Sequence, residues 1–153
     1  MAKHLFGPVL SRRLGISLGI DLIPYKTCTF DCVYCECGKT TNKTCKRQTF
    51  IPTKTIINEL QETLKEQPKL DHITFAGSGE PTLALNLGEI INYIKQTWPH
   101  YKIAVLTNSS LLSNKKVQSD LLQADLLIPS IEAISNDIFQ KLNKPHKAIL
   151  IQD

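Results

Sequence analysis

The sequence predicts an α/β fold in which about four parallel strands alternate with helices and form an incomplete barrel. Short apolar segments rich in branched residues recur along the chain, and each is followed by a polar loop and a longer amphipathic segment. Parallel strands need such crossover segments, which are nearly always right-handed. In addition, the chain has 153 residues, of which 42% are hydrophobic, and this is enough for one core. The pattern therefore predicts a parallel sheet with helices packed outside it.

The predicted strands are the segments 18–23, 72–76, 103–106 and 126–131. Apolar residues at helical spacing mark a helix after each strand. They are Ile56, Ile57, Leu60 and Leu64; Leu87, Ile90, Ile91, Ile94 and Trp98; Val117, Leu121 and Leu122; and Ile134, Ile138 and Leu142. We expect residues 1–153 to form a single truncated domain, with an N-terminal extension (1–18), a partial barrel (19–147) and a tail (148–153). The open edge after the last strand would need more chain, a partner subunit, a dimer or the tail to cover it.

Composition and charge restrict the classes of function. The net charge of +4 is too mild to identify nucleic acid as a partner. No segment reaches the roughly 18 apolar residues that cross a bilayer. Gly7-Pro8 interrupts any run of the length that a signal peptide needs. We therefore expect a cytoplasmic protein without a membrane partner.

Three cysteines follow the first predicted strand. Cys28, Cys32 and Cys35 are arranged as C-x3-C-x2-C. Loops at the carboxyl ends of parallel strands form the active-site face of such folds, so thiolates there can present a metal cluster to a ligand. Three protein ligands would leave one iron of a four-iron cluster open. The alternative is a structural zinc site that recruits Cys37 or Cys45, although neither has the paired spacing that is typical of such sites.

The cysteine motif, with Tyr34 at the aromatic position before its last cysteine, resembles the signature of the radical S-adenosylmethionine (SAM) superfamily. The longer stretch that includes Gly7-Pro8-Val9, residues 11–15 and Asp21 resembles a branch of iron–sulfur oxidoreductases related to tRNA-wybutosine synthases. The resemblance extends from about Phe6 to His146. It implies an incomplete radical SAM (β/α) barrel that corresponds to the N-terminal half of the family's domain.

The resemblance implies a 4Fe-4S cluster on Cys28, Cys32 and Cys35, with the amino and carboxylate groups of SAM on the open iron. In this superfamily an electron from the cluster cleaves SAM, and the resulting 5'-deoxyadenosyl radical abstracts hydrogen from a substrate. The protein supplies ligation and orientation. We therefore expect a radical SAM enzyme that receives its electron from a reductase or a flavodoxin-like donor. The alternatives are a truncated fragment that binds the cluster and SAM without turnover, and a zinc-binding structural module.

A second motif, Gly77-Ser78-Gly79-Glu80, follows the second predicted strand. The resemblance implies that it corresponds to a Gly-Gly-Glu loop that holds the amino group of SAM, with Ser78 in place of the second glycine. Glycines let the backbone approach a ligand closely, and the Glu80 carboxylate complements an ammonium group. On its own, such a short loop is equally typical of an ordinary turn between a strand and a helix.

Three further polar residues lie at the ends of later predicted strands. The resemblance implies that Asn108, Ser130 and Glu132 lie near the ribose and carboxylate of SAM. Amide, hydroxyl and carboxylate groups can make such hydrogen bonds.

No motif identifies the substrate. The relation to tRNA-modifying enzymes makes RNA a candidate partner of the basic segment from Lys39 to Arg47, although no aromatic residues are interleaved there.

Overall fold

The computed structural model of the chain describes residues 3–152, and its main feature is a five-stranded sheet. Residues 3–152 contain seven strands: β1 (Leu5–Ser11), β2 (Gly15–Ile20), β3 (Thr27–Cys28), β4 (Asn42–Lys43), β5 (His72–Phe75), β6 (Lys102–Thr107) and β7 (Leu126–Pro129). The order in the large sheet is β1-β2-β5-β6-β7, whereas β3 and β4 pair with each other. The parallel pairing of β2, β5, β6 and β7 confirms the predicted α/β class, in an open sheet that does not close into a barrel.

Four helices follow the strands: α1 (Thr53–Leu64), α2 (Leu87–Thr97), α3 (Lys115–Leu121) and α4 (Asn136–Leu142). Helices α1 and α2 bury the apolar faces that their spacing predicts, and Ile56, Leu60, Ile90 and Ile94 are all 0% exposed. These side chains pack against the strands in the main core. Trp98 follows α2 and is only partly buried at the margin of this core. None of the helices among residues 3–152 is long and apolar enough to cross a membrane.

The N-terminal segment forms a strand that the sequence did not predict. Strand β1 pairs with β2 in antiparallel orientation, and most of its side chains are exposed. An exposed edge strand needs little apolar alternation, so the pattern of the sequence did not reveal it.

The predicted first strand, 18–23, is displaced by three residues from the observed β2, Gly15–Ile20. Leu22 and Ile23 are buried as their composition suggests. However, they lie beyond the strand, where the Asp21 side chain accepts a hydrogen bond from the Ile23 backbone and turns the chain.

Strand β7 is the open edge of the sheet. Within residues 3–152 it pairs only with β6, and the tail packs elsewhere, against Phe30 and Phe139. Ile134 precedes α4 and is 97% exposed, and Ile138 on α4 is 51% exposed. The predicted helix is present as α4, but Ile134 lies outside it and neither isoleucine is buried, because the described residues supply no layer for them to pack against.

Candidate cluster and cofactor site

Cys28, Cys32 and Cys35 lie in one closed loop, residues 28–43, between the paired strands β3 and β4. The backbone carbonyl of Lys26 accepts hydrogen bonds from the amides of Thr41 and Asn42, each at 3.1 Å. The Thr44 amide donates to the Cys28 carbonyl at 3.0 Å. These bonds tie the two ends of the loop together. We call this segment the cysteine loop.

The cysteine loop and residues 77–79 line the same small cavity. We call it the cysteine cavity, and its wall includes Cys28, Cys32, Cys35, Cys37, Lys26 and residues 77–79. Two sequence motifs that are separated by more than forty positions are therefore brought together at the carboxyl ends of β2 and β5. Among residues 3–152, no three His, Cys, Asp or Glu side chains lie close enough to hold a single metal ion. The cysteines instead surround a space.

Burial changes the acid–base properties of Cys28. Desolvation is the largest cause, and it raises the pKa of the Cys28 thiol to about 11. The thiol therefore keeps its proton near neutral pH, and a metal that binds there has to displace that proton. The Asn108 side-chain amide lies 3.5 Å from this sulfur and is a donor that can stabilise the thiolate.

Lys26 has the most unusual environment in the cavity wall. Its side chain is among the largest fully buried ones, with 2% exposure, and its ammonium donates to Cys35 Sγ at 3.1 Å. None of the ion pairs within residues 3–152 includes it. Burial alone lowers the pKa of Lys26, but the hydrogen bond with Cys35 and the charges of nearby cysteines outweigh it, so that the pKa is raised. Lys26 could not be identified from the sequence, because an isolated lysine is normally a surface residue.

The loop of residues 77–79, which we call the glycine loop, owes its shape to two close approaches. Gly77 has a φ of +146°, and a Cβ there would overlap the Asp21 carboxylate. At Gly79, a Cβ would overlap the Thr27 carbonyl. Ser78, which departs from the family pattern, donates to Asp21 Oδ2 through its backbone amide at 2.9 Å and through its hydroxyl at 2.8 Å. The serine is therefore used to fasten the loop to the end of β2.

Glu80 is buried behind the glycine loop, with 2% exposure. Its Oε1 accepts from the Thr82 amide at 3.1 Å and from the hydroxyls of Thr82 and Thr107, both at 2.6 Å. Its Oε2 accepts from the Asn108 amide at 2.8 Å. Desolvation raises the pKa of Glu80, although these hydrogen bonds act against it. Glu80 is not among the residues that line the cysteine cavity.

Asn108, Ser130 and Glu132 lie together on the wall of a second cavity of about 90 Å³ at the ends of β6 and β7. We call it the strand-end cavity. Phe30 lines both cavities, so the two are adjacent. The Phe30 ring packs edge-on against Phe139, with 5.5 Å between the ring centroids. The predicted site residues are therefore distributed over two neighbouring spaces.

Asn143 lies between these spaces and was not identified from the sequence. It is 4% exposed, and its side-chain amide donates to the Tyr34 hydroxyl at 2.8 Å and lies 3.6 Å from Cys32 Sγ. Its Oδ1 also lies in the interior, where it has no hydrogen-bond partner among residues 3–152. Partial burial, followed by a hydrogen bond with Cys32, raises the pKa of Tyr34, so the phenol stays neutral. Asn143 thus links the strand-end cavity, whose wall it forms, to the cysteine loop.

The backbone after α4 also supports the cysteine loop. The Val33 amide donates to the Leu142 carbonyl at 2.9 Å, and the Asp31 amide donates to the Asn143 carbonyl at 3.0 Å. Further along, the His146 amide donates to the Thr29 carbonyl at 2.8 Å. The end of the fourth strand-helix unit therefore helps to hold the cysteine motif that follows the first strand.

A parallel sheet whose carboxyl edge carries a cysteine loop and a glycine loop defines the chain as an α/β protein with a candidate metal-cluster site. Residues 22–149 match the family model of the radical SAM superfamily. The chain therefore belongs to the radical SAM superfamily, as its motifs indicated.

Several relatives match nearly the whole chain. It is 40% identical to UPF0026 protein MJ1312 of Methanocaldococcus jannaschii over 95% of this chain and 46% of that protein. It is 42% identical to UPF0026 protein slr1464 of Synechocystis over 97% of this chain and 55% of that protein. It is also 46% identical to a protein named GTPase Obg of Brachyspira hyodysenteriae, over 96% of this chain but 22% of that protein. The chain thus spans about half the length of the UPF0026 relatives, and less of the third.

The name of the third relative does not extend to this chain. A phosphate-binding P-loop needs a glycine five residues before its Gly-Lys-Thr. Gly38-Lys39-Thr40 is present here, but Val33 occupies the position of that glycine.

Proposed function

We propose that the chain binds a 4Fe-4S cluster on Cys28, Cys32 and Cys35 with SAM beside it, and that the loaded protein performs radical SAM chemistry. One observation above all supports this function: the three cysteines and the glycine loop line one cavity. Membership of the superfamily supports it independently.

The cavity wall suits a cluster. Cys28, Cys32 and Cys35 line one cavity. Three cysteine ligands suit a four-iron cluster with one open iron, whereas a structural zinc site usually takes four protein ligands. A thiolate-bound cluster carries net negative charge, and the buried Lys26 ammonium is complementary to it. Cys28, Cys32 and Cys35 would hold the cluster, which would supply the single electron for the reductive cleavage of SAM.

The strand-end cavity suits the rest of SAM. Asn108, Ser130 and Glu132 offer polar groups to the ribose and to the methionine part of the molecule. Asn143 Oδ1 is a buried acceptor that receives no hydrogen bond from the described part of the chain, and SAM has donors in its ammonium, ribose hydroxyls and adenine amino group. We assign Asn143 to this binding site. Glu80 remains a candidate partner of the SAM ammonium, because its buried charge faces only neutral donors.

Turnover would need more than the cofactor pocket. The open β7 edge and the exposed Ile131 and Ile134 are consistent with a further layer that confines a substrate, supplied by more chain or by a partner. We also propose a reductase or a flavodoxin-like protein as the electron donor. RNA contact by the basic segment would depend on its exposed lysines. The Arg47 guanidinium is used within the protein instead, because it donates to the Thr82 carbonyl at 2.8 Å and to the Asp120 carboxylate at 2.7 Å.

Anaerobic reconstitution with iron and sulfide tests the proposal. The wild type should take up a cluster whose electron paramagnetic resonance signal, after reduction, changes when SAM is added. Cys32→Ala should lose the iron. Cys45→Ala is the matched control and should keep it, because Cys45 packs beside Phe30 and Phe139 outside the cysteine cavity.

Each other outcome identifies what is wrong. A colourless protein that holds zinc would refute the cluster. A cluster that is indifferent to SAM would refute the cofactor site. A cluster that responds to SAM but forms no 5'-deoxyadenosine would support the alternative of a binding fragment without turnover.

A further inference from the structure

We propose that Lys26 is a positioning residue that holds a positive charge against the cluster and thereby raises its reduction potential. This inference rests on the proposed function, because it needs a cluster bound to Cys35. Neither the family match nor the relatives assign a role to Lys26.

A buried ammonium group loses its hydration, and a nearby anionic group offsets that loss. Lys26 is 2% exposed, and within residues 3–152 no carboxylate forms an ion pair with it. The recorded hydrogen bond of its side chain goes to Cys35 Sγ at 3.1 Å. The fold therefore directs a cation into the cysteine cavity, where an anionic group would stabilise it.

The backbone of Lys26 does not explain the choice of a lysine. Its φ is +58°, a conformation that residues with a Cβ seldom adopt and that glycine adopts freely. The backbone amide donates to the Ser78 carbonyl at 3.1 Å, and the backbone carbonyl accepts from Thr41 and Asn42. Glycine would make the same backbone bonds with less strain, so the lysine contributes its side chain.

A fixed positive charge acts differently on the two oxidation states of a cluster. Reduction adds one negative charge, so the ammonium stabilises the reduced state more than the oxidised state. Hydrogen bonds to cluster sulfurs act in the same direction, and both are established determinants of cluster potentials. Lys26 supplies both effects to a single ligand, Cys35.

A redox titration of reconstituted protein tests this role, with Lys26→Met as the variant and Lys39→Met as the control. Methionine keeps most of the length of the side chain but removes the charge. Lys39 belongs to the same loop but is exposed. We expect iron in all three proteins and an equilibrium constant for reduction at least tenfold lower in Lys26→Met, which equals a potential about 59 mV lower for one electron. Lys39→Met should shift the potential by less than a third of that.

The outcomes separate this inference from the proposed function. Equal midpoint potentials in the wild type and Lys26→Met, with equal iron content, would overturn the role of Lys26 and leave the cluster assignment intact. A wild type that takes up no cluster would overturn both. If Lys26→Met folds by circular dichroism but retains no iron, Lys26→Arg decides the question. Recovery of iron by arginine supports the need for a charge, and a folded Lys26→Arg without iron refutes it.

Discussion

The backbone amide of Asn108 donates to Oε2 of the buried Glu80 at 2.8 Å, which fixes the end of β6 to the glycine loop. The side-chain amide of the same Asn108 donates to the Thr29 hydroxyl at 2.7 Å and lies 3.5 Å from Cys28 Sγ. One asparagine therefore connects the carboxylate behind the glycine loop with the first cysteine. We therefore expect a substitution of Glu80 to alter the geometry of both the glycine loop and the cysteine motif.

Glu80→Gln should weaken SAM binding at least roughly tenfold and lower the free energy of unfolding by about 1–3 kcal/mol. Glutamine removes the negative charge and places an amide NH2 group, which can only donate, where one of two accepting oxygens now lies, so at least one hydrogen bond is lost. Calorimetric titration of the reconstituted protein with SAM, together with urea denaturation, measures both effects.

Thr82→Val is the matched control for Glu80→Gln. It removes one hydroxyl donor to the same carboxylate but keeps the charge. We expect a loss of about 1 kcal/mol in stability with SAM affinity unchanged. Wild-type SAM affinity in Glu80→Gln would instead show that this carboxylate has only a structural role.

Asp21→Ala should loosen the glycine loop and reduce SAM affinity about tenfold, because Asp21 accepts both hydrogen bonds of Ser78. Ser78→Gly, which restores the residue usual in the family, removes the hydroxyl but keeps the backbone bond. Its SAM affinity should fall by no more than roughly threefold. A comparison of the two dissociation constants at equal iron content checks the prediction. Equal losses of SAM affinity in Asp21→Ala and Ser78→Gly would mean that the hydrogen bond of the serine hydroxyl, and not the carboxylate as a whole, holds the loop.

The parallel sheet and the site motifs could be predicted from the sequence because each depends on local pattern. Strand β5 and its glycine loop are a buried apolar run followed at once by Gly77 and Gly79, and the cysteine spacing is contiguous. Parallel strands bring their carboxyl ends to one edge. The meeting of these motifs in one cavity therefore follows from topology alone.

Lys26 and Asn143 could not be predicted, because their roles depend on distant parts of the chain. Asn143 is 111 positions from Cys32, and its contact with Tyr34 exists only because the end of α4 folds back onto the cysteine loop. In the sequence it resembles an ordinary helix terminus, which it also is. Lys26 is distinguished by burial, which composition and spacing do not report.

Asn143→Ala should reduce SAM affinity about tenfold while the cluster remains bound, since one hydrogen bond to a ligand contributes about 1 kcal/mol or more. Among residues 3–152, its Oδ1 has no hydrogen-bond partner, and it is buried at the wall of the strand-end cavity.

Asn86 is the matched control. Its Oδ1 is also buried without a partner among residues 3–152. Its side-chain amide donates to the Ile51 carbonyl and the Thr53 hydroxyl. Asn86→Ala should lower stability without changing SAM affinity. A similar loss of affinity in both variants would indicate general destabilisation.

The contact between Glu59 on α1 and the N-terminal residues should make stability depend on pH. Glu59 accepts from the amides of Lys3 and His4 at 3.0 and 2.9 Å and from the His4 ring at 2.8 Å. Burial alone would raise the pKa of Glu59, but the hydrogen bonds from the His4 amide and ring outweigh it, so the pKa lies below its ordinary value of 4.5. The carboxylate therefore stabilises the fold fully above pH 4.5, and this contribution disappears as the pH falls through the lowered folded-state pKa.

Glu59→Gln should thus be less stable than the wild type by about 1 kcal/mol at pH 7, and the two free energies of unfolding should converge as the solution becomes more acidic. Urea denaturation at a series of pH values between neutrality and the acid limit of the folded state measures this difference. Glu62→Gln, at an exposed position of the same helix, is the control and should show no such convergence. If the difference in free energy of unfolding between the wild type and Glu59→Gln stays constant with pH, the glutamate acts only as a neutral hydrogen-bond acceptor. Its charge would then not help to hold β1 and the residues before it against α1.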